Sequence, residues 1–273
     1  MDKKISTFWK KIKSFIERDF SFEDIQKLEH YAEQFVSGKL VYKRFSPQEQ
    51  HGCSIGGNAH VIASLLAGAE VATSKDVEGS ICDFKRECEL AEKQTEAIKK
   101  WAVKNHLWIE NIEEDLSKSL GSFFAQGGEA EVYDNGPSVI KVIGLDYFIQ
   151  PIYALDRISL HNAYFPETSL RVRGFGSDLN GKFKIIVEQP YIQGVPVSQS
   201  EIKSFMTDMG FKLKDIRNWT YFTSEIYLSD MHDENIIKSK KGNLFVIDCD
   251  IRINAPHLRA NGTRRLTTEI EFI

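Results

Sequence analysis

Residues 227–250 read YLSDMHDENIIKSKKGNLFVIDCD. Two apolar runs flank a polar loop. Asp230 and Asn235 lie inside the loop, five positions apart, and Lys241-Gly242-Asn243 marks a turn. The apolar run 244–247 then delivers Asp248. The pattern predicts a strand, a polar loop, a short strand, a hairpin and a last strand ending in an acid. Turns attract Asp and Asn on their own, so a surface hairpin decorated with acids also satisfies it. The order of the groups carries more. A carboxylate that orients a hydroxyl and takes its proton, then an amide and a second carboxylate able to hold magnesium, is the set that phosphoryl transfer needs.

Support comes from upstream. Residues 121–145, GSFFAQGGEAEVYDNGPSVIKVIGL, alternate apolar and polar positions around a turn at Asp134-Asn135-Gly136. This predicts a β-hairpin with 139–143 as its second or third strand. Gly127 and Gly128 stand just before Glu129, where small residues let backbone N–H groups approach phosphates. Lys141 lies on the strand VIKV, placed to reach those phosphates. A glycine bulge and a snorkelling surface lysine explain either feature taken alone; together, ahead of the Asp230 loop, they form one constellation. Next, Ile152, Leu155, Ile158 and Leu160 predict a helix ending near Asn162. Asp156 is its only acid, 15 residues after Lys141, and Glu167 falls past the helix end. Residues 185–187 form a buried apolar run, with Glu188 opening a connector, and 200–217 hold at least one helix.

Residues 227–250 resemble the catalytic core of protein-kinase-like phosphotransferases. Asp230 to Asn235 keeps the spacing of the HRDxxxxN loop, and Asp248 stands where the DFG Asp does. His232, two places after the Asp, brings the loop closer to the GDLHPGN of aminoglycoside phosphotransferases. AQGGEAEVY departs from GxGxxG and is similar to the QGAEAxVY of minimal atypical kinases. The span from about residue 51 resembles the kinase-like domain of polyvalent proteins from bacterial mobile elements, especially those of Bacteroidetes. AQGGEAEVY, VIKV, ALDRISLHNAYFPET, GFGSD, VEQPYIQG, SDMHDEN and VIDCDIRINAP carry the likeness, with SIGGNAHVIASLLAGAE and HLWIEN as a helical lead-in.

The resemblance implies an α+β, protein-kinase-like, two-lobed fold with a short C-lobe, behind an all-α N-terminal region. Residues 1–120 would be helical and packed on the body, 121–192 the N-lobe, and 193–273 a minimal C-lobe. It implies ATP with Mg2+ or Mn2+ and an unknown protein or small-molecule acceptor. Asp230 would be the base, Asn235 and Asp248 metal ligands with Asp250 beside them, and Lys141 the phosphate clamp under Gly127, Gly128 and Glu129. A kinase needs a carboxylate on the helix to pair with that lysine, and Asp156 is the predicted partner, Glu167 the alternative. Asp156 also reads as a neighbour of Arg157 on an exposed face. Pro190 has no N–H to offer adenine, which shifts that contact to Tyr191 or Glu188. Two other readings stand: a nucleotide-binding pseudokinase acting through interactions, and a small-molecule kinase. Transfer of a nucleotidyl group from flipped ATP is a third.

Composition sets the bounds. At 273 residues the chain can bury a sizeable core. A net charge of -4 with no basic block does not point to broad nucleic-acid binding, and no apolar run approaches the roughly 18 residues of a membrane span. The opening MDKKISTFWKKIKSFIERDF lacks a signal-peptide core. Cys53, Cys82, Cys88 and Cys249 form no CxxC pair, which fits a reducing, cytoplasmic setting. Residues 3–36 read as two helices. Asn58 after Gly56-Gly57 reads as a helix cap rather than an anion site, and His51 and His60 as surface or cap histidines. A long, mostly solvated helix is predicted over 83–105 and a short one within 110–119.

Overall fold

The computed structural model describes residues 59–60, 63–64, 66–67, 70, 84–116, 121–148, 150–217, 219–224 and 226–253. The readings placed on 1–58, including both leading helices, His51 and the Gly56-Gly57-Asn58 turn, lie outside the described residues. The fold is α+β, with mixed sheets and few helices.

Helix α1 (Phe84–Lys104) leads into a short strand β1 (Trp108–Ile109) and helix α2 (Ile112–Leu116). The strands β2 (Ser122–Gln126), β3 (Ala130–Asp134) and β4 (Ser138–Gly144) follow as two successive hairpins. Gly136 takes φ 77° in the second turn, a conformation that glycine adopts without Cβ strain. Helix α3 (Pro151–Tyr164) and a 3-10 turn (Pro166–Thr168) precede β5 (Arg171–Ser177) and β6 (Phe183–Pro190). These strands make one sheet in the order β1-β5-β6-β4-β3-β2. The parallel strand β1 runs so close to β5 that a Cβ on Gly176 would lie 2.4 Å from the Ile109 carbonyl oxygen, and one on Gly174 2.8 Å from that of Leu107. The glycines of GFG are therefore a packing requirement.

Beyond β7 (Gly194–Pro196) comes helix α4 (Gln199–Asp208), started by a reciprocal Ser198–Glu201 capping box. Strands β8 (Lys212–Asp215), β9 (Thr220–Phe222), β10 (Ile226–Ser229) and β13 (Asp250–Ile253) form a second sheet ordered β13-β10-β9-β8. Strands β11 (Ile236–Ser239) and β12 (Leu244–Val246) make the hairpin read from residues 227–250 and pair with β7. Residues 200–217 are thus a helix followed by a strand. KLKD is too short to show a period of two.

Helix α3 is common to two cores. Ile152, Leu155 and Ile158 pack with Ile98 and Trp101 of α1, Ala59 and Ala63, and Phe175, Ile185 and Val187 of the sheet. Farther along, Leu160 joins Phe165, Ile202, Met206, Leu228, Ile236 and Val246. Truncating fully buried Leu155 to Ala would cost about 2–5 kcal/mol. The start of α3 has no side-chain cap of its own; Gln94 of α1 accepts from the Ile152 N–H at 3.2 Å and donates to Gln150 at 2.6 Å. The predicted solvated helix therefore has a buried, bonded face. His60, read as a surface or cap residue, is 3% exposed.

Candidate functional site

Strand β4 alternates, so Ile140 and Val142 enter a small core on one face of the sheet while Lys141 points to the other. Its ammonium donates to the Ile247 carbonyl at 2.9 Å and stands 3.9 Å from Asp248 Oδ2. Gln189, paired across from Val139 and 1% exposed, donates to the same carbonyl at 2.9 Å and to that of Thr168 at 2.8 Å. Thr168 Oγ1 in turn donates to the Val246 carbonyl at 2.5 Å. The backbone that delivers Asp248 is thus held from β4, β6 and the 3-10 turn.

Asp156 is not where Lys141 reaches. It is 4% exposed, which also excludes the exposed-face reading, and the ammonium of Lys141 lies instead against Ile247 and Asp248. The α3 residue that enters the site is the next one. Arg157 donates through Nε to the Cys249 carbonyl at 2.7 Å and through one terminal nitrogen to Asp248 Oδ1 at 2.9 Å. Its other terminal nitrogen pairs with Glu129, and its guanidinium lies 5.5 Å from the Phe148 ring centroid. Glu167 is exposed on the 3-10 turn. Sequence reasoning missed Arg157 as a site residue. A signal was available: Arg157 is the one lysine or arginine in PIYALDRISLHNAY.

Electrostatics follow from this packing. Burial would raise the Asp248 carboxyl, but Lys141 and Arg157, with the Cys249 N–H, hold it below the usual carboxylate range. Burial pushes Glu129 up, against the pull of Arg157. Burial also opposes the charge on Arg157, and the two carboxylates outweigh it, so its pKa is raised. Behind Asp248, buried Cys249 has its thiol pushed up by desolvation and 3.7 Å from His161 Nδ1. His161 is buried and pushed down to about 4, first by desolvation and then by Lys141.

The loop between β10 and β11 is built differently. Asp230 takes φ 65°, in the left-handed region that Asp tolerates better than most residues. Asn235 Nδ2 donates to the Asp230 carbonyl at 2.8 Å and to its Oδ2 at 3.0 Å. His232 Nε2 is 3.3 Å from Asp230 Oδ1, and its Nδ1 accepts from the Glu234 N–H at 3.3 Å. Asp230 is 60% exposed, open to an incoming hydroxyl. Asn235 is brought to Asp248 by its own carbonyl, which accepts from the Ile247 N–H at 2.9 Å. Asp250 faces Ser229 across β13 and β10 and accepts its hydroxyl at 2.8 Å.

Gly127 and Gly128 occupy the β2–β3 turn with Glu129. Neither has a positive φ. A Cβ at Gly127 would meet only the Ala130 carbonyl at 3.7 Å, and one at Gly128 the hydroxyl of Tyr147, a 65% exposed side chain, at 3.0 Å. The fold does not demand glycine there, and the turn is open on that side.

Of the two predicted adenine contacts, Glu188 lies in a strand and Tyr191 just past its end. Strand β6 runs on through Pro190, so Glu188 lies inside a strand, paired to Ile140 and Arg171, rather than opening a connector. Its carboxylate is on the face opposite Lys141, bound to Arg171 at 2.8 Å and Ser138 at 2.9 Å. The Tyr191 N–H donates to the Pro137 carbonyl at 3.0 Å. The Tyr191 side chain is exposed.

Oxygen donors suit magnesium. The Asp248 carboxylate, ionised and with Oδ2 turned from Arg157, and the Asn235 amide oxygen fit such an ion. Among the described residues no group of three or more His, Cys, Asp or Glu gathers at metal-binding spacing, and no helix is long and apolar enough to cross a membrane. No curated protein matches the chain. Residues 91–255, more than half of it, match the model of a family described as a serine/threonine/tyrosine kinase found in polyvalent proteins.

Proposed function

We propose that this chain, which belongs to the family of serine/threonine/tyrosine kinases found in polyvalent proteins, is an ATP-dependent phosphotransferase acting on a hydroxyl. The observation that carries the reading is the meeting of Lys141, Asp248 and Asn235 beside an exposed Asp230 that Asn235 itself bonds. In this reading 121–192 and 193–273 act as the two lobes around the cleft. Asp230 orients the acceptor hydroxyl and takes its proton as the bond to phosphorus forms. Lys141 neutralises phosphate charge under the open turn of Gly127 and Gly128. Asp248 and Asn235 hold the divalent ion, which neutralises charge on the phosphates when bound. Arg157 keeps Asp248 ionised and oriented.

A second reading, a nucleotide-binding pseudokinase, draws on one observation: Arg157 clamps Asp248 and Glu129 together where a kinase-type helix carboxylate would pair with Lys141. One experiment separates the two. In the phosphotransferase reading, Mg-ATP raises the melting temperature of the wild type and magnesium alone does not; saturation at 100 times Kd stabilises by about 2.7 kcal/mol. Terminal phosphate from γ-labelled ATP also appears on an acceptor in cell extract. A thermal shift without any transfer supports the pseudokinase. No shift at millimolar Mg-ATP or Mn-ATP removes both.

A further inference from the structure

We infer that the outer face of the β13-β10-β9-β8 sheet docks the phosphoacceptor, and that this acceptor is an acidic polypeptide segment. The register sets Lys212, Phe222, Tyr227 and Arg252 in one row across the four strands. Paired residues of antiparallel strands share a face, so the row is a stripe of two aromatic rings between two cations. Lys214 joins from the bulged edge strand. Its ammonium lies 4.7 Å from the Tyr227 ring centroid, and the Arg252 guanidinium lies 4.5 Å from the same centroid.

Lys212, Lys214 and Arg252 are exposed, and none has an ion pair among the described residues. Among the described residues the neighbouring carboxylates are engaged: Asp250 accepts from Ser229, and Asp215 accepts the Arg217 N–H at 2.9 Å. Like charges held at one ring repel each other, and a carboxylate arriving between them relieves that repulsion. In a chain of net charge -4, such a stripe is a local exception.

Two features favour a polypeptide over a nucleic acid. The Tyr227 ring already carries two cations, so it is not the open platform on which a base stacks. Strand β8 is also the sheet edge, and all but one of its residues are exposed, which suits an extended peptide. The face is continuous with the site. One row beyond Tyr227–Arg252 on that face lies Ser229–Asp250, and Asp230 follows Ser229. At about 3.3 Å per residue, Asp230 is roughly 10 Å along from Tyr227, or about three residues of an extended acceptor. The inference rests on the phosphotransferase reading for what happens to the docked segment, but binding can be tested apart from it.

The test uses a labelled Glu-rich peptide with Ala in place of the hydroxyl residue, its Lys-rich counterpart and a labelled single-stranded oligonucleotide. Fluorescence anisotropy should show the wild type binding the Glu-rich peptide. K214E/R252E should lose about tenfold in that affinity and gain for the Lys-rich peptide. With the hydroxyl restored, about three residues from the Glu run, the same variant should raise KM and leave kcat alone. Equal binding of both peptides by the wild type, or unchanged binding by the variant, overturns the inference, and so does preference for the oligonucleotide. If the binding preference swaps as expected but neither a peptide nor an acceptor in cell extract is phosphorylated, the docking face stands and the phosphotransferase reading falls.

Discussion

Two acids of the candidate site are held by opposite means. Asp230 is fixed by partners within five residues of itself, Asn235 and His232, and is 60% exposed. Asp248 is fixed by Lys141 and by Arg157, the latter 91 residues away, on a backbone also held by Gln189. The local device needs only its own loop to form. The long-range one exists only when β4, β6 and α3 have assembled. Substitutions at the first should therefore change chemistry with little change in stability, and substitutions at the second should change both.

The largest effect is expected at the local site. Asp230→Asn should lower phosphoryl transfer by about 10²–10⁴ while leaving the melting temperature and nucleotide affinity near wild type. Near wild-type transfer would remove Asp230 from the base role, and a large stability loss would erase the contrast itself.

Next comes the support behind Asp248. Buried His161 is held neutral, its pKa pushed down to about 4 from the ordinary 6.5. Above pH 6.5 neither state is charged and there is no effect. As pH falls below 6.5 the unfolded chain takes up a proton that the folded chain refuses, so stability declines until about pH 4 and then levels. The drop should reach about 3 kcal/mol. Urea titrations of wild type and His161→Gln at several pH values check this, since the variant should lose that part of the slope.

Third is a double-mutant cycle. Arg157→Met and Asp248→Asn should be non-additive in stability, with a coupling of about 0.5–3 kcal/mol. A Lys141–Asp156 cycle should show less. If the order reverses, Asp156 regains the role the sequence assigned to it.

The smallest effect belongs to Glu129. Glu129→Gln removes one carboxylate from Arg157 and should change nucleotide affinity only a few-fold, in favour of binding. Weaker binding, measured by titration calorimetry, would make Glu129 a ligand contact rather than a latch on Arg157.

The same divide explains what could be read in advance. Asp230, Asn235, the β11–β12 hairpin and Asp248 fall within one stretch, and Lys141 lies on a strand with a clear alternation, so spacing alone locates them. Arg157 meets Glu129 and Asp248 across 28 and 91 residues, and no local period encodes such a pairing. Helix α3 is buried at Ile152, Ala154, Leu155, Asp156, Ile158, Ser159, Leu160, His161 and Asn162. Its periodicity therefore does not say which polar side chain turns toward Asp248, and Asp156 and Arg157 are adjacent in sequence. Glu188 lies in a strand rather than a connector for a related reason. The apolar run 185–187 reads as the end of a strand, yet β6 extends through Pro190, and Glu188 stays within the ladder, on the face opposite Lys141.

The clamp on Arg157 has a further consequence in simple charge accounting. Two cations, Lys141 and Arg157, face two carboxylates, Glu129 and Asp248; two minus two is zero. A polyanion entering the cleft finds no surplus positive charge from these four groups. Lys141 is already shared with Asp248, so a triphosphate gains more from a divalent ion that arrives with it, and occupancy should rise with the concentration of the divalent salt as well as that of the nucleotide.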